Sequence, residues 1–410
     1  MQPAVLPWAD NAFHQRWLLT QADKLLDFFI PAALDPAGGF RSLDLAGRPR
    51  VSPVRDLVQT ARLVHCYALA HLLGRPAAAG VVEHGLTLLR GRLRDADHGG
   101  WFWTVTAAEP VDRTKQAYGH AFVLLAAGSA LQAGFAATDV LEEATRVLEE
   151  RFWLPSDGLY AEEFHPDWSP VSRYRGGNSN MHLVEALLAA RDATGDDLYL
   201  QRAESVATRL IWDITRANDW RLAEHYTDSW VIDTAYNRDD PRNTYRPYGS
   251  VIGHSPEWAR LLVGLRTARG ADSWYLDAAR SLFDTSVPHA WDSDATGLAY
   301  TVDFDGTVLD DDHYQWPVSE AICAAHALRS VTGDPKYETW YRRLWRFADE
   351  HLIDRERGGW HYVLDAGNAP KEIPGAAEGK PDLYHALQSC LIPLLPAGVS
   401  VAEGVRRLAS

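Results

Sequence analysis

Length, composition and charge exclude several classes of protein. The chain has 410 residues, of which 46% are hydrophobic and 23% charged, so it can bury a large core and is not expected to be disordered. Its formal net charge of −15, with no basic run, argues against nucleic acid or an anionic membrane as a partner and favours a small substrate.

The N-terminal segment and the cysteines predict a cytoplasmic protein. The segment MQPAVLPWAD carries an acid, prolines and a tryptophan where a signal peptide needs a basic start and an apolar core. Cys66, Cys323 and Cys390 lie in apolar helical runs without a C-x-x-C pair, so we expect neither structural disulfides nor cysteine-ligated zinc. The longest apolar segment, residues 121–137, is too short and too interrupted to span a bilayer and predicts a buried helix.

A motif recurs along the chain: a glycine followed by an aromatic residue, an alternating polar and apolar stretch, a turn, and then a run with helical periodicity. In chain order its six copies are GGFRSLDLAGR from Gly38, GGWFWTVTAAEP from Gly99, GLYAEEFHPDWSP from Gly158, DWRLAEHYTDSW from Asp219, GLAYTVDFDGTV from Gly297 and GGWHYVLDAGNA from Gly358. The copies lie about sixty residues apart, with one longer gap, which indicates a repeat architecture.

Each repeat has room for two helices and a short hairpin. The runs between the motifs, such as 54–74, 181–195, 255–270 and 319–333, have apolar residues at helical spacing. Six helical pairs predict an all-α fold, an (α/α)6 barrel with short β-hairpins in the connecting loops. An open helical solenoid is the alternative, although its repeats are usually shorter. No linker divides the chain, so we expect a single catalytic domain over residues 1–410.

Three histidines share one local design. His182, His254 and His385 each follow a loop that contains glycine or proline, at or near the start of an apolar helix. Each has an acid three positions away, namely Glu185, Glu257 and Asp382. Such an acid lies on nearly the same helical face and can orient the imidazole by a hydrogen bond. The alternative for each is a structural histidine or a capping arrangement.

Other polar residues have two interpretations. Arg62, like His65, lies in an apolar run and belongs either to a site or to a buried ion pair. Asn178 and Asn180 can bind substrate hydroxyls or cap a helix that begins near Met181. Trp316 and Glu320 also follow a loop, and helix capping is their alternative role. H-x-x-E occurs twice, but helical metal sites more usually use E-x-x-H or H-E-x-x-H, so no catalytic metal is expected.

Histidines in an aromatic-rich pocket suit proton transfer at a carbon next to a carbonyl group. Aldose–ketose isomerisation and sugar epimerisation both fit this chemistry. A glycoside hydrolase or lyase would use carboxylates across a scissile bond, and the acids are too numerous to exclude it. A sugar-binding protein without catalysis is the remaining alternative.

Several motifs resemble the N-acylglucosamine 2-epimerase superfamily, and within it the branch of mannose and sulfoquinovose isomerases. They are RGGNSNMHLVEALL, YGSVIGHSPEWARLL, WPVSEAI, TGDPKYETWYRRLW and KPDLYHALQSCLIPLLP. The resemblance runs from HQRWL near the N-terminus to the final PLLP. It implies an (α/α)6 barrel and metal-independent, cofactor-free 1,2-isomerisation through a cis-enediol.

The resemblance also implies roles for individual residues. His254 and His385 match the histidines that open the sugar ring and move the proton between C2 and C1, with His385 as the base. His182 matches a third active-site histidine, and Arg62 matches an arginine near O1 and O2. Substrate-contacting positions are matched by Tyr118, Asn178, Glu257, Arg246, Trp316 and Glu320.

One departure from this branch concerns the substrate. The resemblance implies that a sulfonate would be bound by an arginine and a glutamine at positions that are Thr244 and Tyr362 here. Loss of a charged partner disfavours a sulfonated sugar more than a neutral one. We therefore expect a monosaccharide substrate, D-mannose in exchange with D-fructose or D-lyxose with D-xylulose. We also expect a monomer or homodimer. A cellobiose or N-acylglucosamine 2-epimerase and a sulfoquinovose isomerase are the alternatives.

Overall fold

Helices dominate the computed structural model, which describes residues 6–270, 274–292, 297–374 and 377–409. The first five residues of the segment that argued against a signal peptide lie outside these ranges. The α-helices of the described residues are α1 Ala12–Phe29, α2 Leu57–Leu72, α3 Ala78–Arg90, α4 Ala117–Gln132, α5 Thr138–Val147, α6 Gly177–Thr194, α7 Asp197–Ala207, α8 His254–Arg269, α9 Tyr275–Ala290, α10 Gln315–Thr332, α11 Pro335–Phe347, α12 Tyr384–Leu391 and α13 Val401–Ala409.

Short helical turns extend some of these helices. Segments of π-helix prolong α5, α7 and α11, at Leu148–Phe152, Thr208–Thr215 and Ala348–Leu352. Segments of 3₁₀-helix cover Trp8–Asp10, Arg216–Asn218 and Ile392–Leu394. The same turn after three helices that occupy equivalent places agrees with the repeat predicted from the sequence.

Strands are short and lie in the connections between helices. They are β1 Arg55–Asp56, β2 Thr104–Val105, β3 Pro110–Asp112, β4 Lys115–Gln116, β5 Trp153–Leu154, β6 Leu159–Tyr160, β7 Glu163–Phe164, β8 Arg175–Gly176, β9 His225–Tyr226, β10 Ser250–Val251, β11 Trp291–Asp292, β12 Gly297–Leu298, β13 Thr301–Val302, β14 Val308–Asp310, β15 His313–Tyr314, β16 Val363–Leu364 and β17 Pro370–Lys371. Antiparallel pairs such as β2–β3, β13–β14 and β16–β17 are the predicted hairpins.

The chain divides into two compact units. Unit 1 runs to Pro31 and adds Leu43–Arg48 and Val251–Gly398. Unit 2 consists of Ala32–Ser42, Pro49–Ser250 and the residues from Val399 onward. Unit 1 holds the helix pairs α8/α9, α10/α11 and α12/α1, and unit 2 holds α2/α3, α4/α5 and α6/α7, with α13 packed on α2, α4 and α6. The described residues therefore form the six helical pairs that the sequence predicts.

The two helices of a pair differ in burial. Helix α4 is buried along almost all of its length from Ala117 to Ala130, whereas α5 buries only one face. The same contrast separates α6 from α7 and α10 from α11. We call α2, α4, α6, α8, α10 and α12 the inner helices. The predicted buried helix in residues 121–137 is confirmed over residues 121–132 as part of α4, which ends at Gln132. None of the described helices is long and apolar enough to cross a membrane.

The repeated glycines are required by backbone conformation. In the loops of Gly99 and Gly358, each glycine and the one after it have φ between 67° and 80°, a region that side chains disfavour. The fourth copy of the motif has no glycine, yet Asp219 and Trp220 adopt φ of 53° and 62°. The left-handed turn is therefore formed here without glycine, at a conformational cost of about 1 kcal/mol per residue.

Two buried histidines make stability depend on pH. Burial lowers the pKa of His120 and of His326 from 6.5 to about 4. Above pH 6.5 both are neutral whether the chain is folded or unfolded. Between pH 6.5 and 4 only the unfolded histidines take up protons, so the free energy of unfolding should fall by up to about 3 kcal/mol per histidine. Urea unfolding at pH 7.5 and pH 5 measures this loss.

A variant isolates the contribution of one of these groups. His326→Leu should reduce the difference between the two pH values, because the unfolded chain then gains one proton fewer. His289→Leu, at an exposed position, is the control and should keep the wild-type difference. An unchanged pH dependence in His326→Leu would show that His326 does not contribute.

Candidate functional site

Most of the predicted site residues occupy the same place in their repeats. The helix starts carry them within two turns: Arg62 on α2, Tyr118 on α4, Asn178 and His182 on α6, His254 and Glu257 on α8, Trp316 and Glu320 on α10, and His385 on α12. All of these are inner helices, so the candidate site residues lie at equivalent helix starts in the repeats. Arg246 is the exception and lies in the connection before β10.

In unit 1, His385 is bound by a carboxylate from another helix. Nδ1 of His385 lies 2.9 Å from Oε1 of Glu320, and both side chains are almost completely buried. Oε2 of Glu320 accepts a hydrogen bond of 3.1 Å from Nε of Arg260. A charged carboxylate can only accept, so Nδ1 of His385 carries the proton and, in the neutral ring, the lone pair is on Nε2. Glu320 therefore fixes the tautomer of His385.

The ring of Trp316 contacts two of the predicted histidines. Its ring centroid is 5.0 Å from that of His254 and 5.6 Å from that of His385, with an interplanar angle of 38° in both cases. The side chain of Glu257 is completely buried, 3.9 Å from the guanidinium of Arg260. Neither Trp316 nor Glu320 caps α10, so the capping interpretation is wrong for these two residues.

The acid near His385 in the sequence is not the partner of its imidazole. Oδ1 of Asp382 accepts a hydrogen bond of 3.2 Å from the backbone N–H of His385. Asp382 precedes the first turn of α12, where backbone donors lack helical partners. The predicted orienting role thus belongs to Glu320, because spacing along one helix does not exclude a closer carboxylate from a neighbouring helix.

In unit 2, an arginine and a histidine meet around one tyrosine. Nη2 of Arg62 donates a hydrogen bond of 2.9 Å to the hydroxyl of Tyr118. The Arg62 guanidinium also lies 4.3 Å from the ring centroid of Phe122. The ring of His182 contacts Tyr118 at 5.1 Å and Phe122 at 4.8 Å between centroids. The structure thus brings Arg62, Tyr118 and His182 together.

His182 and the two asparagines stand in the first turns of α6. Nδ1 of His182 lies 3.5 Å from Oε2 of Glu185, so the acid at i+3 lies beside the imidazole as predicted, at the distance of an ion pair rather than of a hydrogen bond. The helix begins at Gly177 rather than near Met181, and no side chain caps it, so the capping interpretation of the asparagines is wrong. Asn180 is structural, because its amide bonds both backbone groups of Tyr160. Asn178 differs, since its buried Oδ1 has no hydrogen-bond partner among the described residues.

Arg246 is held by two acids that the sequence did not single out. Nη2 of Arg246 lies 2.7 Å from Glu163 and 3.6 Å from Glu162, and its guanidinium covers the ring of Tyr174 at 4.5 Å. Burial lowers the pKa of Arg246, but the carboxylates outweigh it and hold the pKa above its ordinary value. Burial raises the pKa of Glu162. Burial also acts to raise the pKa of Glu163, but Arg246 more than offsets it and the pKa of Glu163 is lowered. The charge of Arg246 is therefore largely compensated.

The two positions that the resemblance linked to a sulfonate carry no charge. Thr244 is exposed at its place in the loop. Tyr362 packs against an apolar cluster that includes Tyr314 and Trp316. Neither side chain offers a cation to an anionic group.

One acidic group within unit 1 is compact enough to hold a cation. Asp310, Asp311 and Asp312 can place one carboxylate oxygen each within 4.8 Å of the others. The Lys371 ammonium lies 2.6 Å from Asp312 and already supplies a positive charge there. The geometry of these acids therefore gives no reason to assign a metal to them.

Comparison with known proteins identifies the family. The model of the N-acylglucosamine 2-epimerase (GlcNAc 2-epimerase) family matches residues 38–389. A protein of Thermobifida fusca named D-mannose isomerase is 44% identical over 96% of this chain and 98% of its own length.

Solved structures agree with this match. A crystal structure of a D-mannose isomerase has a TM-score of 0.88 at 37% identity, covering 92% of this chain and 97% of that one. Cellobiose 2-epimerase from Spirochaeta thermophila has a TM-score of 0.80 at 26% identity, covering 93% and 95%. The predicted fold class, an (α/α)6 barrel, is thereby confirmed. The chain belongs to the N-acylglucosamine 2-epimerase family, and it is an isomerase.

Proposed function

We propose that the protein interconverts D-mannose and D-fructose, with D-lyxose and D-xylulose as a second pair, by histidine acid–base catalysis. The observation that carries this proposal is the arrangement in unit 1, where Nδ1 of His385 binds Glu320 and the indole of Trp316 contacts both His385 and His254. The likeness to proteins named D-mannose isomerase supports the choice of sugar.

The proposed reaction moves one proton between neighbouring carbons. In the open-chain sugar, Nε2 of His385 takes the hydrogen on C2 as a proton, and the electrons of the C–H bond form the C1–C2 double bond. The carbonyl oxygen on C1 gains a proton, which gives a cis-enediol. His385 then returns its proton to C1, while the hydroxyl on C2 loses its proton and becomes the ketone. His254 is proposed to open the ring and to exchange protons with the oxygens.

The residues of unit 2 are proposed to bind and polarise the sugar. Arg62 carries a positive charge that would stabilise negative charge developing on O1 and O2. Tyr118, which accepts a hydrogen bond from Arg62, is proposed to bind a sugar hydroxyl. His182 and Asn178 are proposed to bind sugar hydroxyls. For Asn178, the support is a buried oxygen without a hydrogen-bond partner among the described residues, since such an atom is costly unless a ligand binds it. Arg246 is proposed to contact the substrate from its loop.

The proposed substrates are neutral sugars. An anionic sugar needs an uncompensated cation, and the charge of Arg246 is largely offset by Glu163 and Glu162. Thr244 and Tyr362 add none. We therefore expect sulfoquinovose to be a much poorer substrate than mannose, as a lost ion pair of this kind is worth about 2 kcal/mol or more.

A panel of substrates tests this proposal. The protein, dialysed against EDTA, is incubated separately with mannose, lyxose, glucose, cellobiose and sulfoquinovose, and the products are separated by chromatography. Fructose from mannose, at the rate found before dialysis, is the expected result. A C2 epimer without ketose would favour a 2-epimerase instead, and loss of activity on dialysis would indicate a metal requirement.

Four further expectations stay proposals alongside the reaction. They are a single catalytic domain over residues 1–410, catalysis without metal or cofactor, a monomer or homodimer, and a cytoplasmic location. The single domain and the reaction without metal or cofactor follow from the sequence features and the resemblance described above. Size-exclusion chromatography with light scattering measures the oligomeric state directly.

A further inference from the structure

Three loops with paired glycines contain the same buried aspartate. Asp35, Asp95 and Asp354 each donate their backbone N–H to the carbonyl of the second glycine of their loop, at 3.0, 2.8 and 3.1 Å. Oδ1 of each accepts a backbone N–H from the residue two positions later. All three aspartates are at least nine-tenths buried, so each carboxylate requires a compensating charge.

Each aspartate finds that charge on a buried cation further along the chain. Nζ of Lys115 lies 2.8 Å from Oδ2 of Asp95 and 2.5 Å from the carbonyl oxygen of Gly99. Nζ of Lys380 makes the same two contacts, at 2.6 Å to Oδ2 of Asp354 and 2.6 Å to the carbonyl oxygen of the first glycine in that loop. Arg55 pairs with Asp35 in the third copy. We call these three pairs the glycine-loop clamps.

Each clamp ends next to the start of an inner helix. Lys115 stands two residues before α4, whose second residue is Tyr118. Lys380 stands four residues before α12, whose second residue is His385. Arg55 stands two residues before α2, which carries Arg62. The same device thus ties three helix starts to three loops of the repeat.

Stability alone is a weak explanation for these clamps. The side chains of Lys115 and Lys380 are 0% and 1% exposed, so each ammonium has lost its hydration. Buried ion pairs can often be replaced by apolar residues without loss of stability, but they fix one geometry. A small displacement of a reacting group lowers a rate steeply, so exact placement of the helix start matters for catalysis.

We propose that Lys115 and Lys380 are positioning residues: Lys115 places Tyr118 for substrate binding, and Lys380 places His385 for proton transfer. This inference rests on the proposed function. It assigns different kinetic consequences to two clamps that have the same chemistry. A purely structural role would give both clamps the same consequence, namely a less stable protein.

Paired substitutions test the inference through kinetics with mannose. Lys380→Met should lower kcat about tenfold or more with KM within about twofold of wild type, and Lys115→Met should raise KM with kcat nearly unchanged. The double variants Asp354→Asn/Lys380→Met and Asp95→Asn/Lys115→Met remove both charges, so they should recover melting temperature without recovering the kinetic parameter. Lys336→Met, which breaks an exposed pair with Asp284, is the control and should change neither.

Hydrogen exchange gives a readout that does not depend on activity. Amides in the first turn of α12 should exchange faster in Lys380→Met, while those of α4 keep the wild-type rate. In Lys115→Met, amides in the first turn of α4 should exchange faster, while those of α12 keep the wild-type rate. The proposal would be overturned if Lys380→Met and Lys115→Met changed kcat by the same factor and KM by the same factor. It would also be overturned if the double variants recovered kcat and KM together with the melting temperature. If the wild-type protein formed no ketose, the proposed function would fail. Unchanged hydrogen exchange at both helix starts would separately refute the positioning role of Lys115 and Lys380.

Discussion

Replacing His385 by asparagine is expected to lower kcat for mannose by about 10³-fold, because a positioned acid–base group contributes 10²–10⁴-fold to such reactions. Asparagine is smaller than histidine, but its amide nitrogen can take the place of Nδ1 and donate to Oε1 of Glu320, and it has no basic nitrogen. The contact with Glu320 is therefore kept while proton transfer is lost. Initial rates of fructose formation over a range of mannose concentrations give kcat and KM separately.

The matched control for this variant is His289→Asn, at an exposed position near the end of α9. It should leave kcat and KM at wild-type values. Activity of His385→Asn within a few-fold of wild type would remove His385 from the role of base. Activity that survives in His385→Asn but is lost on changing a carboxylate would instead favour a glycoside hydrolase mechanism.

Replacing Glu320 by glutamine is expected to lower kcat by about 10²-fold or more with a smaller change of KM. Glutamine fills the same space, but it brings an N–H group to a place where Nδ1 of His385 and Nε of Arg260 both donate. The tautomer of His385 is then no longer fixed. The buried Arg260 also loses its nearest negative charge, so the free energy of unfolding should fall by about 1–3 kcal/mol.

A second carboxylate separates the catalytic effect of this variant from its effect on stability. Glu338 on α11 accepts from Nε of Arg342 at 2.6 Å and from the backbone of Trp8 at 2.9 Å, so it also bridges two donors. Glu338→Gln should reduce stability while kcat stays unchanged. If Glu320→Gln also lost only stability, Glu320 would not act on His385.

The fold could be predicted from the sequence because its signals are local and repeated. Three of the six copies have paired glycines that need a left-handed backbone, and the runs between the copies have helical periodicity, so six similar segments each specify the same helix pair. The starts of the helices could be placed only approximately, as with Gly177 against Met181, because no side chain caps α6.

The partners of the site residues could not be predicted in the same way. Glu320 and His385 are 65 positions apart, and nothing near either residue indicates their contact. Asp382 has the spacing of a partner, but it binds the backbone instead. The sequence did contain an indication of Arg260, since this arginine follows Glu257 by three residues on a largely buried helix.

Contacts between loops could not be predicted either, because their partners are also far apart in the sequence. Glu163 and Arg246 are 83 positions apart and belong to different connections, so only the folded chain shows that the arginine is compensated. The resemblance implies that Arg246 contacts the substrate, and the carboxylates beside it are the basis for our proposal that the substrate is neutral.

A proton NMR time course of mannose in D₂O tests the proposed proton transfer between C1 and C2 most directly. The protein is first treated with EDTA, and both the sugars formed and the deuterium at C1 and C2 are followed. The account predicts fructose that accumulates to equilibrium with deuterium entering at C1, and the same reaction about 10³-fold slower in His385→Asn. Formation of the C2 epimer alone, or fructose formed equally fast by His385→Asn, would contradict it.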